Sequence, residues 1–371
     1  MAILMNSSKI THFLIVTFIA LSVAGCGGGD SSENKQAIPQ TPVTDNDSIM
    51  ITISAPESDA DIYLDGQYTG KTTPAEIAIE PGEHTVGIGL NQAQRYLKKS
   101  LVVTDSSDGS SFDLTNDDLQ TPKNWKALFI GVNRVQAPDK QCISEYTTEQ
   151  LDAGFAFLEW SFEQRLQGYS YNTVDWTYDR IDINEEVVTL NHESLLTPTE
   201  LEPYLTLHNI NKGDYDFIVT FFRGGDVLTE AGGATEQNCY LGQFRGIGWF
   251  DYNALSVEAS YVTIRYWDNI INAINYSKED ERDPGMFIHE WLHAVAEVNG
   301  NGFFKGRGYT MPVHNNEVVH AAGAYQYTYP WMTWYKDIIQ GKVVSNGNYV
   351  GITPEAFLAC SVREQALDMC E

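Results

Sequence analysis

The sequence predicts an α+β protein in which a small all-β module precedes a larger domain with a mixed sheet and a buried helix. Three observations lead to this prediction. Residues 48–104 alternate apolar and polar side chains with a period of two, which is typical of half-buried strands. From residue 123 onward, strand-like apolar runs alternate with amphipathic helical patterns. Residues 283–297 carry apolar side chains on most sides, as expected of a helix enclosed by its domain.

The first 25 residues predict a signal peptide. Lys9 precedes an apolar stretch at residues 12–21, which is too short for a typical membrane span. The motif LSVAGC at residues 21–26 resembles the lipobox of bacterial lipoproteins, which implies a lipid on Cys26 and therefore a membrane partner. In that family, Gly27 after the cysteine implies the outer membrane or the cell surface. The alternative is ordinary secretion after a plain cleavage site.

Two polar segments predict flexible connections, at residues 26–47 and 105–122. They divide the chain into the signal peptide, a β module at residues 48–104 and a larger domain at residues 123–371. The formal net charge of −27 makes nucleic acid an unsuitable partner, because an acidic surface repels phosphate.

The pattern of strands and turns in the β module predicts a small β-sandwich. Turn signals such as Asp65-Gly66 and Pro81-Gly82 separate its strand-like stretches. These stretches lie at residues 49–54, 61–65, 76–80 and 84–90. The residues at 55–66, 70–74 and 80–84 resemble a PEGA domain, although Arg95-Tyr96 stands where that family has a glycine-tyrosine pair. The resemblance implies a surface-exposed accessory module without a catalytic role.

The cysteines predict disulfides in the larger domain. Apart from Cys26, the chain contains Cys142, Cys239, Cys360 and Cys370, and an oxidising compartment favours two bridges among them. Three connectivities are possible. We prefer Cys360 with Cys370, because they are close in sequence, which leaves Cys142 with Cys239.

The larger domain begins with apolar runs that predict its sheet and helices. The predicted elements are a strand at 125–132, a long amphipathic helix at 148–168, a helix that begins near Thr197, a strand at 216–222, and a strand followed by an aromatic loop at 241–254. The aromatic residues at 249–252 can line a groove. The next predicted element is the helix at 283–297, which carries the pattern HExxH at residues 289–293. Helices, a sheet and then a helix with this pattern form an order that resembles the zincin metallopeptidases.

The helix at 283–297 contains the HExxH pattern, at residues 289–293. Because residues four apart lie above one another on a helix, the imidazoles of His289 and His293 can bind one Zn²⁺ ion. Glu290 lies beside them and can take a proton from water on the metal. The alternative is a structural helix whose histidines bond to carbonyl groups. Asp283 and Pro284 suit the start of this helix, and Asn299-Gly300 suits its end.

A catalytic zinc ion requires a third protein ligand. The longer HExxHxxGxxH motif is absent, and Glu297 lies too far along the helix axis to join both histidines, so we interpret it as a supporting residue. The downstream candidates are His314, Glu317 and His320. A glutamate at this distance resembles the thermolysin-like gluzincins. Residues 320–327 and 331–342 resemble a group of uncharacterised secreted bacterial proteins, and this resemblance implies His320.

Tyrosines near the candidate ligands complete the predicted site. Tyr325 and Tyr327, and also Tyr309, can donate a hydrogen bond to an oxyanion beside the metal, although dense aromatic residues more often form core. The sequence thus predicts a surface-anchored zinc-dependent peptidase that acts on a peptide or protein substrate, with Glu290 as general base. The alternative is a non-catalytic surface protein that binds glycan or peptidoglycan and has a structural or vestigial zinc site.

Overall fold

A computed structural model describes residues 48–138, 143–224, 241, 246–266 and 285–370, and it has the predicted α+β class. The predicted signal peptide, Cys26 and the tether lie outside the described residues, as do Cys142 and Cys239. Cys360 and Cys370 form a disulfide, which confirms that predicted pair.

The β module is a sandwich of two sheets around an aliphatic core. Its strands are β1 (Ile49–Ser54), β2 (Asp61–Leu64), β3 (Gln67–Thr72), β4 (Ala75–Ile79), β5 (Gly82–Leu90), β6 (Arg95–Val103) and β7 (Ser110–Asp113). One sheet has the order β4-β1-β7 and the other the order β3-β2-β5-β6. Ile51 and Ile53 of β1 are fully buried, because alternate residues of a strand face the same side.

The segment predicted as a linker at residues 105–122 contains structure. Strand β7 pairs in parallel with β1, and single 3₁₀ turns at Asp105–Ser107 and Asn116–Asp118 flank it. Leu114 is buried in the core of the sandwich, and Phe112 packs against that core. The sheet therefore extends beyond residue 104, and the polar composition of the segment concealed the strand.

The larger domain is built on a six-stranded mixed sheet. Its strands are β8 (Lys123–Gln136), β9 (Ser144–Glu145), β10 (Val174–Thr189), β11 (Phe217–Arg223), β12 (Gly246–Gly248) and β13 (Ser260–Tyr266). The order is β10-β8-β11-β13-β12, with β9 beside β8. Strands β10, β8, β11 and β13 run parallel, whereas β12 is antiparallel to β13 at one edge. A separate hairpin consists of β14 (Val343–Ser345) and β15 (Asn348–Val350).

Eight α-helices occur in the described residues. They are α1 (Thr148–Ser161), α2 (Gln167–Tyr169), α3 (Pro198–Leu207), α4 (Gly285–Ala296), α5 (Phe303–Gly306), α6 (Met332–Ile339), α7 (Pro354–Ala359) and α8 (Val362–Ala366). A π-helical turn at Phe162–Leu166 joins α1 to α2, which confirms a continuous helical segment over the predicted range. A 3₁₀ helix spans Val319–Tyr325. None of these helices is both long enough and apolar enough to cross a membrane.

Alternation along the central strands supplies both faces of the sheet with apolar side chains. On β8, Trp125 and Phe129 face the core that contains α1 and α4, whereas Leu128 and Ile130 face the core beneath α3. Trp125 contacts the ring of Trp291 on α4, with ring centroids 6.3 Å apart. The sheet therefore packs against α4 and fixes its position.

Candidate metal centre

Helix α4 lies inside the larger domain, as its apolar composition predicts. Every one of its residues except His289 is buried. The helix ends at Ala296, and Gly300 shortly afterwards has a φ of +80°, a conformation that glycine adopts easily. Asp283 and Pro284 lie outside the described residues. Helix α4 is thus buried on most sides, and its two histidines lie on the face next to the 3₁₀ helix at Val319–Tyr325.

Three imidazoles meet at this face. His289 and His293 lie one helical turn apart, and His320 comes from the 3₁₀ helix downstream. The ring centroids are 4.8 Å apart for His289 and His293, 5.0 Å for His289 and His320, and 4.8 Å for His293 and His320. One nitrogen from each ring lies within 4.8 Å of the others. Nε2 of His289 and Nε2 of His320 are 3.1 Å apart.

The Nδ1 atom of each of the three rings lies within hydrogen-bond distance of a different oxygen atom. Nδ1 of His289 lies 2.8 Å from the hydroxyl of Tyr335. Nδ1 of His293 lies 2.9 Å from Oε1 of Glu297, and Nδ1 of His320 lies 3.0 Å from Oε2 of Glu317. When Nδ1–H donates to such an oxygen, Nε2 keeps a free lone pair. In that tautomer, Nε2 of each of the three rings is available to bind a metal ion.

These donors fit a zinc ion. Zn–N bonds of about 2.0–2.1 Å place two nitrogen ligands within about 4 Å of each other, and the three nitrogens here lie within 4.8 Å of one another. Burial, together with the neighbouring His293 and His320, holds the pKa of His289 well below its usual value. His289 is therefore neutral near pH 7, as a metal ligand must be. Among the described residues, this group contains three histidines and no carboxylate, which suits an open fourth position.

Glu297 connects the helix to the downstream segment. It is 1% exposed, and besides its bond to His293 its carboxylate accepts the backbone N–H groups of Val318 at 2.8 Å and Val319 at 3.1 Å. These amides directly precede His320. Glu297 thus fixes one ring of the cluster and the backbone that carries another, in agreement with its interpretation as a supporting residue.

Glu290 is buried beneath the edge strand β12. It is 8% exposed, and its side chain packs so closely on Gly246 that a Cβ atom there would lie 2.6 Å from Cγ of Glu290. A Cβ atom on Gly248 would lie 2.4 Å from the backbone oxygen of Glu290 and 2.7 Å from Cβ of His293. Sequence analysis missed these two glycines. Glycines inside a strand often mark a close backbone approach, and this signal was available.

The three candidates for the third ligand make different contacts in the structure. Among the described residues, His320 is the one that joins His289 and His293. Glu317 bonds to His320 instead. The backbone of His314 pairs with that of Glu317, and His314 is exposed.

Tyr325 and Tyr327, predicted to stabilise an oxyanion, are engaged elsewhere. The hydroxyl of Tyr325 accepts the N–H of Val313 at 3.1 Å, and the hydroxyl of Tyr327 donates to Asp337 at 2.6 Å. Both rings pack against Trp334, with centroids 5.4 Å and 5.0 Å away. Both hydroxyls therefore have hydrogen-bond partners outside the histidine cluster, and their oxyanion role stays a prediction.

Other aromatic residues contact the cluster. Tyr335, which sequence analysis did not assign, bonds to His289. In the predicted groove at residues 249–252, the ring of Phe250 lies 5.8 Å from that of His293, whereas Trp249 stacks on Tyr261.

The comparisons with known proteins concern the β module. Residues 48–99 match the family model of the PEGA domain. This match confirms the resemblance in the first part of the chain. No curated protein sequence matches the chain.

Proposed function

We propose that the protein is a zinc-dependent peptidase with a zincin-like catalytic domain, in which His289, His293 and His320 hold the metal. The observation that carries this proposal is the set of three imidazoles whose Nδ1 atoms are each held by an oxygen. Such partners fix ring orientation and raise the basicity of the ligand nitrogen. A structural pair of histidines bonded to carbonyl groups would not require a third ring from another segment.

Glu290 is the general base of the proposed reaction. When bound, a zinc ion supplies a Lewis acid that polarises a carbonyl group and acidifies water. Glu290 is the one carboxylate within the HExxH pattern, and it is 8% exposed. It accepts a proton from the attacking water and returns it to the leaving amine nitrogen.

The edge strand β12 supports a peptide as the substrate. β12 pairs with β13 on one side, and no strand of the described ranges pairs with its other side. An unpaired strand edge can accept an extended peptide through backbone hydrogen bonds. Because Gly246 and Gly248 pack directly on Glu290 and His293, a peptide paired with this edge would lie near the proposed base. Phe250 beside His293 offers it an apolar contact.

Lipidation of Cys26, which the lipobox-like motif suggests, would attach the enzyme to the cell envelope and restrict it to substrates there. Detection of a lipid on the N-terminal cysteine of the mature chain by mass spectrometry tests this part. A mature N-terminus that lacks Cys26 would contradict it.

Replacement of Glu290 by Gln tests the proposed reaction. We expect hydrolysis of a broad peptide library to fall by about 10²- to 10⁴-fold while bound zinc is retained, because the base is lost and the ligands remain. The control is Glu258→Gln, which alters a surface carboxylate paired with Lys212 and should leave turnover unchanged. Full activity of Glu290→Gln would remove Glu290 from the mechanism. Zinc without turnover in the wild type would favour the non-catalytic binding protein.

A further inference from the structure

The β module contacts the larger domain through a buried tyrosine cluster. The rings of Tyr63, Tyr96 and Tyr171 are at most 2% exposed, with centroids 5.7–6.4 Å apart. The hydroxyl of Tyr63 donates to the backbone oxygen of Gln340 at 3.0 Å, and that of Tyr96 donates to Glu355 at 2.9 Å. Two tyrosines of the β module thus reach two different parts of the larger domain.

A buried ion pair accompanies the bond to Gln340. Asp61 of the β module is 4% exposed and accepts hydrogen bonds from Lys342, at 2.5 Å, and from the hydroxyl of Tyr171. Gln340 is the first residue after helix α6, and Lys342 lies two residues further along the chain. The β module therefore fixes the C-terminal end of α6.

The same short helix contacts the metal centre. Tyr335 of α6 bonds to Nδ1 of His289. Trp334 donates from Nε1 to the backbone oxygen of Val319 at 3.0 Å, directly before His320. Tyr335 and Gln340 are five residues apart, a distance of about 7.5 Å along a helix. The end of α6 that contacts the β module therefore lies close to the groups that contact His289 and the segment of His320.

We propose that the β module positions the metal centre through α6, with Tyr335 as the positioning residue for His289. The proposal rests on the proposed zinc site. Tyr63 and the Asp61–Lys342 pair hold the end of α6, and Tyr335 transmits that position to the imidazole. The accessory module is then part of the zinc site's support, and not only a connection to the envelope.

Three variants test this proposal in the mature chain with both domains present, namely Tyr335→Phe and the matched pair Tyr63→Phe and Tyr96→Phe. Tyr63→Phe removes the hydroxyl that reaches the end of α6, and Tyr96→Phe removes the equivalent hydroxyl that reaches Glu355 on α7. Zinc affinity is measured by competition with a chromophoric chelator. We expect Tyr335→Phe to weaken zinc binding by about 10- to 100-fold and Tyr63→Phe to weaken it by about 10-fold. Tyr96→Phe should bind zinc as the wild type does.

The outcomes separate this proposal from the proposed function. Equal zinc affinity of Tyr63→Phe, Tyr96→Phe and the wild type would overturn the positioning role and leave the zinc site intact. Absence of zinc binding by the folded wild type would overturn both. If Tyr63→Phe does not fold, Asp61→Asn with Lys342→Met provides the same test, with Lys98→Met and Glu355→Gln as its control ion pair. Weaker zinc binding in the first pair alone supports the proposal.

Discussion

Helix α4 and the segment at residues 312–327 supply the two halves of the proposed metal centre in different ways. The side chain of His293 on α4 is 9% exposed, whereas that of His320 in the downstream segment is 56% exposed. The period of a helix alone places His289 and His293 on one face. His320 depends on long-range bonds, namely those of Glu297 to Val318 and Val319 and that of Trp334 to Val319. One half of the site is therefore fixed by local structure and the other by tertiary contacts.

This difference predicts which substitutions disturb the centre most. Contacts that join the two halves should affect both stability and zinc affinity. Contacts within α4 and β12 should affect mainly stability, and exposed contacts of His320 should affect mainly zinc affinity.

We expect the largest effect from Glu297→Ala. The substitution leaves two buried N–H groups and the Nδ1 atom of His293 without an acceptor. The free energy of unfolding should fall by about 2–4 kcal/mol, and zinc affinity should fall by about 10- to 100-fold. Urea denaturation of the apo protein and chelator competition measure the two quantities. Unchanged zinc affinity would show that the two halves are independent.

A pair of glycine substitutions compares the packing of the two halves. A Cβ atom on Gly248 would lie 2.4 Å from the backbone of α4, whereas one on Gly323 in the downstream 3₁₀ helix meets nothing within 4 Å. Gly248→Ala should therefore lower the free energy of unfolding by about 1–3 kcal/mol. Gly323→Ala should leave it nearly unchanged, as thermal unfolding will show. Similar melting temperatures for both variants would contradict the close packing of β12 on α4.

The smallest effect should come from Glu317→Ala. Glu317 orients His320, but its side chain is 49% exposed, and water can replace its bond to Nδ1. We expect zinc affinity to decrease by about 10-fold or less, with an unchanged melting temperature of the apo protein. A loss larger than that caused by Glu297→Ala would reverse the order of importance of the two halves.

Elements with strong local patterns could be predicted from the sequence. Strands β8 and β11 are apolar runs, and α4 combines an apolar surface with histidines at helical spacing, so their position needed no tertiary information. The disulfide between Cys360 and Cys370 followed from their proximity in the sequence.

The remaining elements depend on contacts between distant segments. Strand β10 includes exposed and half-buried polar residues, so it lacks an apolar run, and β7 is recognisable only through its pairing with β1. The sequence also could not show that Tyr325 and Tyr327 pack on Trp334 while Tyr335 contacts His289. These side chains belong to dense aromatic clusters, and the composition of such a cluster does not reveal which partner each side chain contacts.

Zinc content of two histidine variants tests the central claim most directly. His320→Ala and His314→Ala change imidazoles six residues apart in the same segment, and the proposed cluster contains only the first. Both variants are purified, equilibrated with zinc and dialysed before elemental analysis. We expect a zinc-to-protein ratio near unity in the wild type and in His314→Ala, and loss of zinc in His320→Ala. Full retention of zinc by His320→Ala would contradict a metal centre built from these three imidazoles.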